Sequence, residues 1–164
     1  MNPPCGSIAT QGTRSWTVFR CRNAGRRYPN RPRGLLRSWS ATALRWPDCP
    51  STAAPWQCQW ESIPDGRAFY LLDTTGETLA YALMRRRYGR DGVARGATLY
   101  QAGTGQSTPD SPGLLRYLLG QSLAGMPHCI AMNIAGSQPA TLAALAELGF
   151  RETVAQYAMR REMP

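Results

Sequence analysis

The sequence predicts an α+β fold of the α/β type, in which two helices cover a mixed β-sheet. Three observations support this prediction. Residues 126–161 read as strand, helix and strand; two strand-like runs flank a short turn within 69–84; and residues 113–123 carry an apolar helical face. About a hundred residues can bury one hydrophobic core, so we expect residues 61–164 to form a single domain.

The first half of this domain is predicted to be mostly β-structure. Residues 69–73 and 77–84 are apolar runs separated by Thr-Thr-Gly, which predicts a hairpin. A third short run at 97–102 predicts another strand. Residues 113–123 then place five leucines on one face of a helix, which predicts that this face packs on the sheet.

The second half of the domain is predicted to be a strand, a helix and a last strand. Residues 129–134 alternate between two unlike faces, as a strand does. Ser137 or Gln138 is the expected N-cap of the helix, because Pro139 suits the first helical position. Gly149 suits the left-handed residue that ends a helix, and Phe150 is expected to pack back on its last turn. A strand over 153–160 follows.

The first sixty residues differ from the rest in charge and composition. They hold nine Arg and one acid, a net charge of +8, whereas residues 61–164 hold ten Arg and nine acids, a net charge of +1. All five Trp also lie in the first sixty residues. Only residues 35–44 show a weak helical period, so we expect residues 1–60 to be a poorly ordered, Arg/Trp/Pro-rich extension with one marginal helix.

Other interpretations of residues 1–60 remain open. Arginines as phosphate contacts and tryptophans as stacking platforms would suit single-stranded nucleic acid, but no known module pattern is present. A transit peptide fits the Arg and Ser content but not the Pro and Trp content. Translation of a GC-rich gene in the wrong reading frame would also give this composition, in which case residues 1–60 would be a mistranslated or degenerate remnant.

The segments QPATLAALAELGF at 138–150 and YAMRR at 157–161 resemble the end of the GNAT (Gcn5-related) N-acetyltransferase fold. In that family a strand, an asparagine-led helix, a Gly-Phe step and a final strand recur. The resemblance covers residues 67–161 and is greatest to the divergent second GNAT half of two-part bacterial acetyltransferases. A complete GNAT domain begins with a strand and two helices, which residues 1–60 do not show, so the resemblance implies an incomplete, partial GNAT-like domain.

The resemblance implies an acyl-CoA-dependent N-acetyltransferase, with acetyl-CoA as co-substrate and a small-molecule or peptide amine as acceptor. The family binds the pyrophosphate on backbone N–H groups between a strand and the next helix, which corresponds to 101–113 here. Thr104 stands where the family pattern has Gly, and Asp110 adds a negative charge. The cofactor-binding residues that the resemblance implies are Gln101, Ala102, Gly103, Thr104, Gly105, Gly113 and, at the helix-leading position, Gln138.

The resemblance carries over no catalytic residue. The family's tyrosine, which protonates the departing thiolate, falls at Leu145, which is better interpreted as core. Tyr100, Tyr117 or Tyr157 could replace it in space. The alternative function is therefore a non-catalytic, degenerate GNAT-like interaction module that acts through a sheet edge or a helix face, as a homodimer.

Several residue types exclude other functions. The five cysteines form no C-x-x-C pair and His128 is the only histidine, so no zinc site is expected. His128 is interpreted as a surface residue, or one with its hydrogen bonds satisfied, and a catalytic base is the less favoured alternative. Residues 85–87 are all Arg, which indicates an exposed charge cluster or, alternatively, a contact for CoA phosphates or for an acidic partner. No apolar run has signal or transmembrane length, so we expect a cytoplasmic protein that makes no membrane contact.

Overall fold

The computed structural model of the protein describes residues 15–22, 35–40, 55–63 and 65–157. Seven strands form one mixed sheet in the order β2-β3-β4-β5-β6-β1-β7, and two helices lie between the later strands along the chain. The strands are β1 (Ser15–Arg22), β2 (Leu35–Ser40), β3 (Arg67–Leu72), β4 (Thr78–Tyr88), β5 (Ala94–Thr104), β6 (His128–Ala135) and β7 (Arg151–Tyr157). The helices are α1 (Pro112–Ser122) and α2 (Pro139–Glu147).

The element order predicted for the domain is confirmed. From β3 to β7 the chain runs strand, strand, strand, helix, strand, helix, strand. The hairpin strands β4 and β5 extend beyond the predicted runs, because backbone pairing continues from Arg85 to Tyr88 although the side chains there are mostly charged. The prediction for 158–160 lies outside the described residues.

Two strands lie where coil was expected. β1 pairs antiparallel with both β6 and β7, and β2 pairs antiparallel with β3. The marginal helix expected at 35–44 was wrong for residues 35–40, which are the strand β2. Both strands are stabilised by pairing with residues far away in sequence, which local periodicity does not reveal. The other residues of 1–54 lie outside the described part, and with them most of the predicted extension.

The main core lies between one face of the sheet and the two helices. Leu115, Leu118 and Leu119 of α1 and Leu145 of α2 are fully buried in it. Fully burying such a side chain contributes about 1.5–3 kcal/mol relative to leaving it exposed. The strand residues of this core are Phe69, Leu71, Ala80, Ala82, Met84, Ala97, Leu99, Ala102, Cys129, Ala131 and Ile134.

The ends of α2 form as the sequence predicts. Gln138 is the N-cap and Pro139 the first helical residue. Gly149 has φ +81°, and its N–H donates to the carbonyl of Ala146 at 2.9 Å. The N–H of Phe150 reaches the carbonyl of Leu145 at 2.9 Å, which completes a Schellman motif, and the Phe150 ring is buried in the core.

The opposite face of the sheet is covered by residues 55–63. Two short 3₁₀ turns there, Trp56–Cys58 and Trp60–Ser62, bring Trp60 against a second apolar cluster. This cluster consists of Ala68, Tyr70 and Tyr81. Because side chains alternate along β3 and β4, these residues point away from the helix-covered core. The sheet is therefore covered on both faces where the 55–63 segment crosses it.

Candidate functional site

The candidate site is a gap between β5 and β6. These two strands run parallel, and they pair only between residues 97–99 and residues 129–131. In the part of the chain that the structure describes, residues 100–104 of β5 and 132–135 of β6 make no pairs with one another. Pairing between the parallel strands therefore ends before their carboxyl ends, and we call the stretch without pairing the strand gap.

A bulge on each strand accompanies the separation. Leu83 pairs with Gln101 whereas Met84 pairs with Leu99, so Tyr100 is an extra residue on β5. On β6, Met132 and Asn133 together lie opposite one residue of β1. A bulge bends its strand and increases the local twist, which gives a physical reason for the divergence.

Asn133 has the backbone conformation that such a bulge requires. Its φ is +55°, and it is the one described residue other than glycine with a positive φ. Asparagine tolerates this left-handed region better than most residues. The bulge also breaks the strict alternation of β6, so that Ile134 joins Cys129 and Ala131 in the helix-covered core.

Side chains at the start of α2 satisfy one carbonyl of β5 in the stretch that β6 leaves unpaired. The carbonyl of Ala102 accepts a hydrogen bond from Thr141 Oγ1 at 3.2 Å and one from Gln138 Nε2 at 3.5 Å. Thr141 is buried, and Gln138 is half-buried. The first turn of α2 thus closes the strand gap on the side of the helices.

Cys58 bridges the strand gap on the other side. Gln101 Nε2 of β5 donates to the Cys58 carbonyl at 2.5 Å, and Asn133 Nδ2 of β6 donates to Cys58 Sγ at 3.4 Å. Cys58, Gln101 and Asn133 are all buried. Burial raises the pKa of the Cys58 thiol, and the hydrogen bond from Asn133 opposes this shift only in part.

The loop after β5 packs against β4. The N–H of Gly105 donates to the carbonyl of Leu79 at 3.0 Å, and a Cβ at this position would lie 1.7 Å from the carbonyl oxygen of Thr78. Thr108 also reaches that oxygen, with its Oγ1 at 3.4 Å. Glycine at 105 thus permits a close backbone approach to β4, and its N–H is already used inside the protein.

The N-terminus of α1 lies at the end of this loop. Ser111 is the N-cap but makes no side-chain capping bond, and the first turn contains no acidic residue. The first intrahelical bond is the one from the N–H of Leu115 to the carbonyl of Ser111 at 3.3 Å, so the N–H groups of Gly113 and Leu114 precede it. Gly113 and Asp110 are both exposed. The turn can therefore present two backbone donors to an anion, with one carboxylate nearby.

The residues predicted to bind the cofactor separate into two groups. Gln101, Ala102 and Gln138 meet at the strand gap. The other four lie along the end of β5 and the loop that leads to α1. Gly103 packs against Tyr81, and Thr104 is the last residue of β5. Gly105 packs on β4, and Gly113 lies in the first turn of α1. Cys58, Asn133 and Thr141 were missed by the sequence analysis, although an asparagine within the apolar strand 129–134 was a possible signal.

The tyrosines lie in different environments. Tyr117 is buried in the core, and the side chain of Tyr157 lies outside the described part of the chain. Tyr100 is half-buried at the bulge of β5, directly after the last residue that pairs with β6. Leu145 is fully buried, as predicted. Of the three tyrosines considered, Tyr100 is therefore the one that the structure places at the strand gap.

The arginine run at 85–87 lies away from this site. Arg85 forms an exposed ion pair with Asp65 at 3.0 Å. Arg86 Nη2 donates to the carbonyl of Ser122 at 3.0 Å, at the C-terminal end of α1. An eleven-residue helix is about 16 Å long. The run is thus a helix length from the first turn of α1 and does not contact a phosphate bound there.

Metal and membrane signals are absent from the described residues. No group of three or more His, Cys, Asp or Glu side chains there could hold a metal ion. His128 is exposed at the start of β6, as predicted. No helix in the described ranges is long and apolar enough to span a bilayer.

Comparisons with protein-family models, with curated proteins and with solved structures gave no match.

Proposed function

We propose that this protein binds acetyl-CoA at the strand gap and transfers the acetyl group to the amine of a small molecule or peptide. The observation that carries the proposal is the parallel pair β5 and β6, which separates after three paired residues on each strand. The first turns of both helices follow the carboxyl ends of these strands. An extended thioester chain and its phosphates could use this combination of a strand edge that β6 does not pair with and backbone donors at a helix N-terminus.

The strand gap suits the pantetheine arm of CoA. That arm contains two amide groups, so it can pair with an exposed strand edge much as an added peptide strand does. β6 does not pair with β5 beyond Leu99, so an arm that entered the strand gap could pair with this edge of β5. The carbonyl of Ala102 accepts hydrogen bonds from Thr141 and Gln138 in place of a backbone N–H of β6, and this carbonyl is where an amide N–H of the arm would donate.

The pyrophosphate is assigned to the first turn of α1. A helix N-terminus favours an anion because of its dipole and its unpaired N–H groups. This turn has no acidic side chain, and the Gly113 position is open to solvent. Gly105 is not part of the assignment, because its N–H already donates to Leu79.

Transfer requires the attack of a neutral amine on the thioester carbonyl: the C–N bond forms, the C–S bond breaks, the amine nitrogen loses one proton and the departing thiolate gains one. Tyr100 is the candidate donor, since it lies at the bulge where the thioester end of an inserted arm would reach. Its phenol can donate a proton, whereas Leu145 at the corresponding family position cannot.

A non-catalytic function is the second candidate. It is favoured by the burial of Leu145 in the core and by the presence of Cys58 at the strand gap. In that case the domain would bind CoA or a partner protein without turnover. A thiol-release assay with a panel of primary amines separates the two candidates, because only the enzyme releases CoA in an amine-dependent manner.

Calorimetric titration with acetyl-CoA tests the proposal, using Gly113→Glu and Gly113→Gln as matched variants. A side chain at 113 meets no atom closer than Ser111 Oγ at 3.9 Å, so both variants should fold. The glutamate should itself stabilise the helix N-terminus while repelling the pyrophosphate. We expect micromolar binding by the wild-type protein, similar binding by the glutamine variant, and at least about tenfold weaker binding by the glutamate variant.

Two results would count against this assignment. Equal affinities of the glutamate and glutamine variants would remove the first turn of α1 from the phosphate site. The absence of any heat from a sample that shows cooperative unfolding would remove acetyl-CoA binding altogether.

A further inference from the structure

The 55–63 segment places one residue, Cys58, between the two diverging strands. Cys58 is completely buried, although the segment itself is largely a surface turn. It is bonded to a side chain from each strand: Gln101 on β5 and Asn133 on β6. Together with Thr141 and Gln138 on the other side, this contact closes the strand gap in the structure.

From these contacts we infer that the 55–63 segment is an autoinhibitory plug, in which Cys58 stands in for the thiol end of the CoA arm. The inference rests on the proposed function and concerns how access to that site is controlled. Acetyl-CoA then binds only after the plug has left the strand gap.

The chemistry of a cysteine residue supports this role. Read from its sulfur toward the preceding peptide group, Cys58 has the atom order S–C–C–N–C=O. The terminal cysteamine amide of CoA has the same order. A side-chain amide that donates to Cys58 Sγ, as Asn133 Nδ2 does at 3.4 Å, is therefore placed to donate to the sulfur of a CoA thioester once Cys58 has left.

Within the part of the chain that the structure describes, no side chain of the segment belongs to the helix-covered core. The N–H of Cys58 donates to the carbonyl of Pro55 at 2.8 Å, within the segment itself. Ile63 is buried, and the N–H of Gly66 donates to its carbonyl at 2.8 Å. Trp60 packs on the small cluster of Ala68, Tyr70 and Tyr81 rather than on the main core. The plug can thus leave while the helix-covered core stays intact.

Cys58 acts as a competitor and not as an acyl acceptor. The thiolate is the nucleophilic form of cysteine, and burial raises the pKa of the Cys58 thiol, which keeps it protonated. A neutral thiol in a closed gap does not attack a thioester. Its effect is on affinity, because binding to a partly populated open state is weakened in proportion to the open fraction.

Site-resolved alkylation tests the inference on the full chain. The protein is pulsed with iodoacetamide under native conditions, and peptides containing Cys58 and Cys129 are quantified by mass spectrometry. Both thiols are buried, but Cys129 lies in the helix-covered core and reports global unfolding. We expect saturating acetyl-CoA to increase Cys58 labelling at least about tenfold with Cys129 unchanged, whereas adenosine 3′,5′-bisphosphate, which lacks the pantetheine arm, leaves both unchanged.

A pair of substitutions at Cys58 provides the second measurement. Cys58→Asp puts a carboxylate in the closed gap and should expel the plug, whereas Cys58→Ser keeps an atom that accepts a hydrogen bond from Asn133. We expect the aspartate variant to bind acetyl-CoA about tenfold more tightly than the serine variant in calorimetry. Should the aspartate variant fail to fold, the alkylation of the wild-type protein decides alone.

The outcomes separate this inference from the proposed function. Acetyl-CoA binding with unchanged or slower Cys58 labelling overturns the plug and leaves the proposed function standing. Equal labelling with the bisphosphate and with acetyl-CoA also overturns it, because the arm would then not enter the gap. No acetyl-CoA binding by the wild-type or the folded aspartate variant overturns both.

Discussion

The hydroxyl of Thr141 donates a hydrogen bond to the carbonyl of Ala102 over 3.2 Å, across the point where β6 separates from β5. In a continuous parallel sheet a backbone N–H of β6 would occupy that place. A side chain from the first turn of α2 replaces it, so that the carbonyl remains satisfied although the strands diverge. The strand gap is therefore a stable feature of the fold. It is maintained by Thr141, which is 39 positions from Ala102 in the sequence.

Replacing Thr141 with valine should destabilise the protein by about 1–3 kcal/mol, because the buried carbonyl of Ala102 loses its better donor. Gln138 Nε2 would remain, at the longer distance of 3.5 Å. Thr141→Ser is the matched control, since it keeps the hydroxyl and removes one methyl group, with a loss of about 0.8 kcal/mol. Urea unfolding of the three proteins measures the difference. A valine variant as stable as wild type would contradict this role of the hydroxyl.

Gly105→Ala should be strongly destabilising. The new Cβ would lie 1.7 Å from the carbonyl oxygen of Thr78, so β4 or the loop must move. We expect a loss of about 3 kcal/mol, at the upper end of the range for overpacking. Gly113→Ala, in the open first turn of α1, should instead increase stability by up to about 1 kcal/mol. Thermal unfolding of both variants checks this contrast, and similar shifts in the same direction would refute it.

Much of the fold could be predicted because its signals are local. The helix α2 is specified by Pro139 at its start and by Gly149 and Phe150 at its end, and all three act within one turn of the residues they affect. The Thr-Thr-Gly turn likewise fixes the β3–β4 hairpin. The strands β1 and β2 could not be predicted, because their pairing partners in β6 and β3 are distant and their own sequences are rich in Arg and Trp.

The site could be predicted only in part, for the same reason. Gln101 and Gln138 were identified from a resemblance between sequences, and they lie at the strand gap. Cys58 is 43 residues from Gln101 and 75 from Asn133, so no spacing pattern connects them. The close packing of Gly105 on Thr78 was also not foreseen, because a glycine in a polar loop is usually a sign of conformational freedom.

Arg86 should be coupled energetically to Phe69. Its guanidinium carbon lies 5.4 Å from the centre of the Phe69 ring, and it also donates to the carbonyl of Ser122 at the end of α1. A double-mutant cycle with Arg86→Met and Phe69→Leu should give a coupling of about 0.5–2 kcal/mol, in the range for a partly desolvated cation–π pair.

The neighbouring exposed residue supplies the control for that cycle. Arg87→Met in combination with Phe69→Leu should show additive effects, because residue 87 points to the other side of the strand. Chemical denaturation measures all the variants. A coupling near zero for the Arg86 cycle, or an equal coupling for the Arg87 cycle, would mean that the stacking contributes nothing specific.

Cys58 should make the stability of the protein fall at alkaline pH. Burial raises the pKa of its thiol above the ordinary value of 9.0, so between that value and the raised pKa the unfolded chain has lost a proton that the folded chain keeps. Stability is therefore fully present below about pH 9 and declines as the pH rises, by at most about 1.4 kcal/mol per pH unit for one group. Urea unfolding from pH 8 to 10.5 should show a steeper decline for the wild-type protein than for Cys58→Ser, which has no thiol to titrate at this position. If the stabilities of the two proteins fell in parallel with pH, the thiol would titrate equally in the folded and unfolded states. Cys58 would then not be a buried, protonated thiol in the strand gap.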